Sequence, residues 1–380
     1  MPHEVEGQLH WHEPAGLSPA GRLRYPRPPR AHDRFIAGEG VPVLRSAHVP
    51  SLMQVELLPW PRLGGSGAWV ALHGNEGGLG CALQELAGSQ ASHPEKHLFE
   101  ELVLVLAGMG TTELWQPGSH RRVVFEWQPG SLFAVPANAL HRFVNAGTHP
   151  ARLLMANTAP ALLDLLGQAD AVFANPALLA FDDDHGQAFD DIQPDAGGLA
   201  VCRTGLVPDA QGCDLPLDNR ISPGWRQMQL AMAGPALSCV IGEHRPGRYA
   251  RAQVLPADTA MVCLAGRGFS HVWPERLGPR PASVQRLDHA VHTLAGPGRE
   301  RCYHQLFNTG PVPLRHLVVS LPARPLGPPG EEIGDPATTE IAEGGTMIGY
   351  AQEDPSLREM FASLLAERGI ACRMRPDDYA

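Results

Sequence analysis

The chain has 380 residues, a formal net charge of −10 and 43% hydrophobic residues. The length predicts two domains, and an acidic balance without a basic block argues against a nucleic-acid or membrane partner recruited by charge. No apolar run is long enough for a membrane-spanning helix, and the N-terminus lacks the regions of a signal peptide. The 41 glycines and 37 prolines favour short strands joined by turns over a helical bundle.

The seven cysteines are scattered along the chain and form no CxxC pair. An odd number at irregular spacing is not the pattern of a disulfide framework. We therefore expect reduced thiols that pack as small apolar side chains, and a cytoplasmic location.

Taken in chain order, the first segment is polar and the second has strand character. Residues 1–40 are rich in proline, histidine and arginine and are predicted to form an extended N-terminal arm. Short apolar or alternating runs follow, and several of them end at Gly108, Gly110 or Pro136. The predicted strands of this region comprise residues 102–106, 111–115, 131–135 and 153–155.

An internal repeat organises the rest of the chain. The sequence LAGMG at residues 106–110 recurs as LAGRG at residues 264–268, and a tryptophan follows each copy at the same distance. The same spacing maps Cys81 onto Cys239. These matches indicate that one unit of the chain has been duplicated.

A second pair of segments repeats later in each copy. Residues 145–152 (NAGTHPAR) recur as residues 308–315 (NTGPVPLR), and His141 and His304 stand four residues before them. Matches of several residues at fixed spacing indicate a duplicated domain. The predicted organisation is an arm at 1–40, β domains at 41–160 and 199–323, a linker at 161–198 and a tail at 324–380.

The C-terminal tail carries one strong helix signal, at residues 355–368. Asp354 stands at the N-cap position, Pro355 at the first helical position and Gly369 after the last turn. The apolar stripe of this helix is interpreted as a packing face and comprises Leu357, Met360, Phe361, Leu364 and Leu365.

Two motifs of the first copy carry residue types that bind metals. Residues 95–108 read E-x-H-x3-E-x6-G, and residues 130–145 read G-x5-P-x-N-x2-H-x3-N. They resemble the two motifs of the cupin superfamily, G-x5-H-x-H-x3-4-E-x6-G and G-x5-P-x-G-x2-H-x3-N. The chain departs from them at Glu95, in place of the first histidine, and at Asn138, in place of a glycine. Asparagine tolerates left-handed backbone better than most residues, so the second change is mild.

The resemblance implies an all-β fold of two tandem cupin (jelly-roll, double-stranded β-helix) barrels, with the arm before them and the C-terminal helix after them. It also implies one divalent metal ion in the first barrel. Because residues i and i+2 of a strand point to the same face, Glu95 and His97 are expected to face the barrel interior. The predicted metal ligands are His97, Glu101, His141 and Glu95, with His93 as an alternative to Glu95.

These donors suit Fe(II), Mn(II), Ni(II) or Zn(II), and two histidines with a carboxylate favour Fe(II). If Glu95 is not itself a ligand, it is expected to orient His97, as an acceptor behind the imidazole. Val103 and Phe143 are predicted to point inward and to exclude water from the pocket.

The second copy is predicted to hold no metal. Only the histidine of the second motif remains there, as His304, and one imidazole does not hold a metal tightly. The residues that replace Glu95, His97 and Glu101 are Gln253, Leu255 and Thr259. This copy is interpreted as a structural or dimerising domain, and we expect a homo-oligomer.

The resemblance implies an enzyme that acts on a small-molecule substrate. We expect a metal-dependent oxidoreductase, specifically a non-haem Fe(II) dioxygenase of a small aromatic or enolisable acid. Duplicated cupins include gentisate-type dioxygenases and manganese-dependent oxalate decarboxylases, so an isomerase, lyase or decarboxylase is the alternative. In that case Glu101 or Glu95 is the catalytic residue that moves a proton. A non-catalytic cupin that binds a small ligand is the third hypothesis.

Overall fold

The computed structural model describes residues 28–75, 77–176, 192–194, 200–232, 234, 236–321 and 338–379. Most of the predicted N-terminal arm lies outside these residues. Its described end differs from the prediction, because residues 31–38 form a helix and not an extended segment. Tertiary contacts hold this helix: Ile36 is buried in the core of the first barrel, and the main-chain N–H of His32 donates to Asp164 Oδ1 at 2.9 Å.

Strands dominate both halves of the chain. The first half contains β1 (Val43–Ser46), β2 (His48–Val49), β3 (Leu58–Pro59), β4 (Ser66–Leu72), β5 (Gly80–Leu86), β6 (Glu101–Ala107), β7 (Gly110–Trp115), β8 (Arg122–Trp127), β9 (Leu132–Val135), β10 (Leu140–Asn145) and β11 (Ala151–Asn157). The second half contains β12 (Ile192–Pro194), β13 (Ala200–Arg203), β14 (Leu206–Val207), β15 (Arg226–Ala231), β16 (Ser238–His244), β17 (Gln253–Val254), β18 (Thr259–Ala265), β19 (Arg267–Pro274), β20 (Gln285–Ala290), β21 (Leu294–Ala295), β22 (Cys302–Asn308) and β23 (Leu314–Ser320).

Helices are few in the described residues. The α-helices are α1 (Ala31–Gly38), α2 (Ala159–Leu166), α3 (Ala169–Phe173) and α4 (Ser356–Glu367), and short 3-10 turns cover Leu52–Gln54, Glu275–Leu277, Ile341–Glu343 and Pro376–Tyr379. Within the described ranges, no helix combines the length and the apolar character that crossing a membrane requires.

Two sheets form the first barrel. Strands β1, β4, β5, β11, β6 and β9 lie side by side in that order with β3 beside β4, and β10, β7 and β8 form the second sheet. The inward side chains of both sheets, among them Val103, Val105, Phe133 and Phe143, make one buried apolar core. The apolar run at residues 102–106 therefore forms a strand because both of its faces are covered.

The second barrel repeats this arrangement. Its large sheet orders β12, β13, β15, β16, β23, β18 and β21, and its small sheet orders β17, β22, β19 and β20. Arg152 on β11 pairs with Glu85 on β5 at 2.8 Å, and Arg315 on β23 pairs with Glu243 on β16 at 2.8 Å. The predicted all-β fold of two tandem barrels is confirmed.

The repeated asparagines close the same turn in each barrel. Asn145 Oδ1 accepts a hydrogen bond from the N–H of Gly147 at 2.9 Å, and Asn308 Oδ1 accepts one from Gly310 at 2.9 Å. An asparagine that bonds its own main chain two residues on is a common turn device. The sequence repeat around residue 145 thus encodes the same asparagine-stabilised turn in both barrels.

Each barrel completes its large sheet with a short strand from the other half of the chain. Strand β2 pairs with β21 of the second barrel, and strand β14 pairs with β9 of the first. The large sheets also share one apolar layer, to which Leu102, Leu104 and Leu154 contribute from the first barrel and Val262 and Leu317 from the second. The two barrels therefore depend on each other for part of their sheets and part of their core.

The predicted C-terminal helix is present as α4. Asp354 Oδ1 accepts a hydrogen bond from the N–H of Ser356 at 2.9 Å, which caps the first turn. Phe361 and Leu365 are buried against Tyr249 of the second barrel, so the apolar stripe is a packing face.

The shared core makes a stability prediction. We expect Leu317→Ala to lower the free energy of unfolding by about 2–5 kcal/mol, because it leaves a cavity in the layer between the barrels. We also expect both barrels to unfold in one transition, monitored by circular dichroism during urea denaturation. Leu165→Ala is the control, since Leu165 is 78% exposed on α2, and it should change the free energy by less than about 0.5 kcal/mol. Two separated transitions, or equal effects of the two variants, would contradict this.

Candidate metal centre

The segment before β6 carries the first motif along the barrel wall. It is not a regular strand, because only isolated bridges at Ala91 and Glu95 pair it with β10. At the second bridge, the N–H of Glu95 donates to His141 O and the N–H of His141 donates to Glu95 O, each at 2.9 Å. This pair of hydrogen bonds fixes Glu95 directly opposite His141, although the two residues are far apart in the sequence.

The turn between β9 and β10 positions the second motif. Asn138 has a φ of 63°, so the left-handed conformation inferred from its glycine-like position is present. Its N–H donates to His97 O at 2.6 Å. The turn thus ties the strand that carries His141 to the segment that carries His97.

The two histidines present the same ring nitrogen to the barrel interior. His97 Nδ1 lies 2.9 Å from Phe99 O, and His141 Nδ1 lies 3.3 Å from Ala139 O. Because a carbonyl oxygen only accepts, each Nδ1 carries the proton and each Nε2 keeps a free lone pair. The ring centroids are 5.0 Å apart, so the two imidazoles are close neighbours.

Three predicted site residues converge. One ligand atom each from Glu95, His97 and His141 lies within 4.8 Å of the others. His97 is fully buried, and its Nε2 has no hydrogen-bond partner among the described residues. A buried nitrogen without a partner costs free energy, and a metal ion is one occupant that would satisfy it. The donor set of two imidazoles and a carboxylate fits a divalent first-row metal.

Glu101 lies beside this group at the start of β6. Its Oε1 is 3.9 Å from His97 Nε2, and its Oε2 accepts a hydrogen bond from Asn157 Nδ2 at 2.9 Å. Burial, with a smaller contribution from the nearby Glu95 carboxylate, raises the pKa of Glu101 to about 8. The structure therefore places a buried carboxyl group next to the three converging residues.

Burial also sets the charge state of the histidines. It holds the pKa of His97 well below its usual range, with a further contribution from His141, and it lowers the pKa of His141. Both imidazoles are therefore neutral at pH 7, which is the form that binds metals.

Arg62 was not expected from the sequence. Its guanidinium forms an ion pair with Glu95 and another with Glu39 at 2.7 Å. The same guanidinium lies over the ring of Phe173 on α3, 4.9 Å from the centroid. Arg62 thus pairs with Oε1 of Glu95, and this ion pair helps to orient the carboxylate.

The remaining predicted residues lie at different distances from the centre. His93 is exposed, its Nδ1 is 3.2 Å from Arg62 O, and it is not one of the three residues that converge within 4.8 Å. Phe143 is buried with its ring centroid 5.4 Å from that of His141. Val103 is buried in the same apolar core. The stacked ring of Phe99, 3.7 Å from His97, also shields the site and was not predicted.

The equivalent position of the second barrel has different chemistry. Gln253 pairs with His304 across β17 and β22, and His304 Nε2 lies 3.4 Å from Pro297 O. Thr259 donates its hydroxyl to Pro256 O at 2.8 Å. Within the described residues, the only group of three potential ligands that converge is the one in the first barrel.

A family match and several solved structures show what this chain resembles. Residues 82–157 match the family model described as Cupin domain (Cupin_2), whereas no curated protein matches the chain. The oxalate decarboxylase of Lactobacillus farciminis, solved with formate, is 12% identical with a TM-score of 0.48, over 72% of this chain and 86% of that chain. A cupin 2 conserved barrel domain protein from Leptotrichia buccalis is 11% identical with a TM-score of 0.43, over 70% and 90%.

A salicylate 1,2-dioxygenase from Pseudaminobacter salicylatoxidans is 12% identical with a TM-score of 0.44, over 64% of this chain and 70% of that chain. Structural similarity at these sequence identities and TM-scores gives no information about the activity of this chain. The family match is more specific, because it spans β5 to β11 and includes both motifs with His97, Glu101 and His141. The first barrel of this chain is therefore a cupin domain.

Proposed function

We propose that the first barrel binds one divalent metal ion, with Fe(II) favoured, and that the chain is a non-haem dioxygenase of a small aromatic or enolisable acid. The observation that carries the proposal is the convergence of Glu95, His97 and His141 within 4.8 Å. Two histidines and one carboxylate are the donor set typical of non-haem Fe(II) oxygenases. The other metals that suit these donors are Mn(II), Ni(II) and Zn(II).

The protein contributes orientation and the exclusion of water. A bound ferrous ion would supply the one-electron chemistry with dioxygen that amino-acid side chains lack. His97 and His141 are held by main-chain carbonyl groups, and Arg62 holds Glu95, so the three donors are fixed before a metal arrives. Phe99 stacks on His97 and keeps water from one side of the site.

Glu101 supports the alternative of a metal-dependent isomerase, lyase or decarboxylase. Its carboxyl group is buried, 3.9 Å from His97 Nε2, and only one of its oxygens is engaged, by Asn157. A carboxyl group in this place is within reach of a substrate bound at the centre and can give or take a proton. In the dioxygenase, the same residue would be the fourth ligand.

The metal-binding prediction concerns the two histidines. We expect His97→Ala and His141→Ala each to lose bound metal while circular dichroism shows an intact fold, because each change removes a neutral nitrogen donor. His304→Ala is the matched control at the equivalent position of the second barrel and should keep the metal. The measurement is elemental analysis of protein purified without a histidine tag. Full occupancy in both first-barrel variants would exclude the site, and a metal lost only in His304→Ala would place it in the second barrel.

A second prediction separates the roles of the carboxylates. We expect Glu95→Gln to weaken metal binding about 10–100-fold and to remove most activity. The amide has one oxygen and could not offer an oxygen both to Arg62 and to a metal, whereas the carboxylate has two. Glu101→Gln should behave alike if it is a ligand, and should keep the metal but lose turnover if it only moves a proton. Glu56→Gln, a change on the exposed surface, is the charge-matched control. Unchanged metal affinity and turnover in Glu95→Gln would exclude Glu95 from the site and make His93 the candidate ligand in its place.

Oxygen uptake distinguishes the reaction classes. With Fe(II)-loaded protein and a panel of small aromatic and enolisable acids, we expect a substrate whose loss is matched by dioxygen consumption at an oxygen electrode. The His141→Ala variant is the control and should consume none. Substrate loss without oxygen uptake would support the isomerase, lyase or decarboxylase instead. Tight binding of a ligand without turnover would favour the non-catalytic cupin.

A further inference from the structure

The two barrels carry a cavity at the same place, away from the metal centre. In the first barrel, Gly110 on β7 faces Trp127 on β8, and in the second barrel Gly268 on β19 faces His289 on β20. A cavity of about 390 Å³ is lined by the first pair, and one of about 520 Å³ by the second. Duplication has thus given each barrel the same opening, and the side chains around it have diverged.

The divergence adds positive charge to the rim of the second cavity. Met109 precedes Gly110 in the first barrel, whereas Arg267 precedes Gly268 in the second. Three guanidinium groups line the second cavity together with one carboxylate, Asp288; they belong to Arg267, Arg286 and Arg368. The excess of positive charge stands out in a chain whose formal net charge is −10.

Two of the three arginines are held in place. Arg286 stacks on the ring of Phe269, 4.0 Å from the centroid, and donates from Nε to Asp288 Oδ1 at 3.0 Å. Arg368, just after α4, donates from Nη1 to Thr309 O and Oγ1 at 3.0 and 2.7 Å. The residue that follows the C-terminal helix therefore supplies one of the positive charges. The contacts of Arg286 and Arg368 also orient the other N–H groups of their guanidinium groups.

Arg267 is the least committed of the three. Its side chain is exposed and makes no ion pair or hydrogen bond with any other residue that the structure describes. The hydrocarbon stem packs close to Gly310, where an added Cβ would lie 2.9 Å from Arg267 Cγ. An arginine without a partner at the rim of a cavity can turn toward an anionic ligand at little cost.

The wall behind the cavity is also more polar than in the first barrel. In the second barrel, His289 Nε2 lies 2.9 Å from Ser270 Oγ. At the equivalent place in the first barrel, Trp127 Nε1 donates to Thr112 Oγ1 at 3.1 Å. His289 Nδ1 is buried and has no hydrogen-bond partner in the described chain. An unsatisfied nitrogen of this kind indicates a site built for a polar occupant.

Two further histidines extend this change into the barrel. His316 follows Arg315 and His244 follows Glu243, whereas leucines, Leu153 and Leu86, follow the equivalent ion pair in the first barrel. Both imidazoles are buried, and both of their ring nitrogens lack partners among the described residues. Among the described residues, they belong to no group of three ligand atoms that converges as in the candidate metal centre, so these histidines do not form a second site of that kind.

We propose that the cavity of the second barrel binds a small oxyanion, carried either by a carboxylate or by a phosphate group. The arginines Arg267, Arg286 and Arg368 supply the charge and the planar donors that such oxygens accept, and His289 forms the polar floor. The proposal concerns the second barrel only and does not depend on the metal or on the reaction of the first.

The test is titration calorimetry of the full chain in a buffer without oxyanions. Sodium phosphate and sodium succinate are the two probes, and they distinguish a phosphate from a carboxylate ligand. We expect saturable binding of at least one probe that weakens as sodium chloride is raised. Arg267→Ala should weaken it about tenfold, and Arg267→Lys, which keeps the charge, should weaken it less.

Two controls make the result specific. Arg276→Ala removes the same charge from an exposed turn outside the cavity, where Arg276 is 68% exposed, and should bind as the wild type does. His141→Ala changes only the first barrel and should also bind normally. The proposal is overturned if neither probe binds, if Arg267→Ala and Arg276→Ala have equal effects, or if His141→Ala abolishes binding.

Discussion

The apolar layer between the two large sheets is the contact on which the rest of the structure depends. Each barrel alone would expose the face that carries Leu104 or Leu317, and each would lack the short strand that the other half supplies. Burial of apolar surface contributes about 25 cal/mol per Å², so this layer makes a large favourable contribution to the free energy of folding of a chain with few helices. With the sheets fixed in this way, the segments that carry the predicted metal ligands are held in place as well.

The candidate metal centre inherits its geometry from that framework. Glu95 and His141 share a pair of main-chain hydrogen bonds, and Asn138 ties the next turn to His97, so hydrogen bonds of the backbone itself hold the donors together. The cost of burying neutral imidazoles and carboxyl groups is then offset by Arg62, Asn157 and main-chain carbonyl groups. This arrangement leaves Nε2 of His97 without a hydrogen-bond partner among the described residues, and so available to an external ligand.

Duplication explains why the two barrels are alike in their ion pairs and unlike in their interiors. The pairs of Arg152 with Glu85 and of Arg315 with Glu243 hold the sheets in both copies and have been kept. One copy has kept converging histidines and carboxylates, and the other has placed arginines and histidines around a cavity at a different end, with Arg368 supplied from beyond the barrel.

The sequence by itself determined the repeat, the strands around residues 102–106 and 111–115, the C-terminal helix, the left-handed Asn138 and the histidines of the centre. These follow from local rules, because strand alternation, capping and turn chemistry depend on neighbouring residues. The domain boundaries, the homo-oligomer and the cytoplasmic location stay predictions. Only the tertiary structure decided that β2 and β14 exchange barrels, that residues 31–38 form a helix, and that Arg62 holds Glu95 while His93 faces outward. Each of these depends on which distant segments meet, and that is set by the path of the chain and the packing of the sheets, which no local pattern encodes.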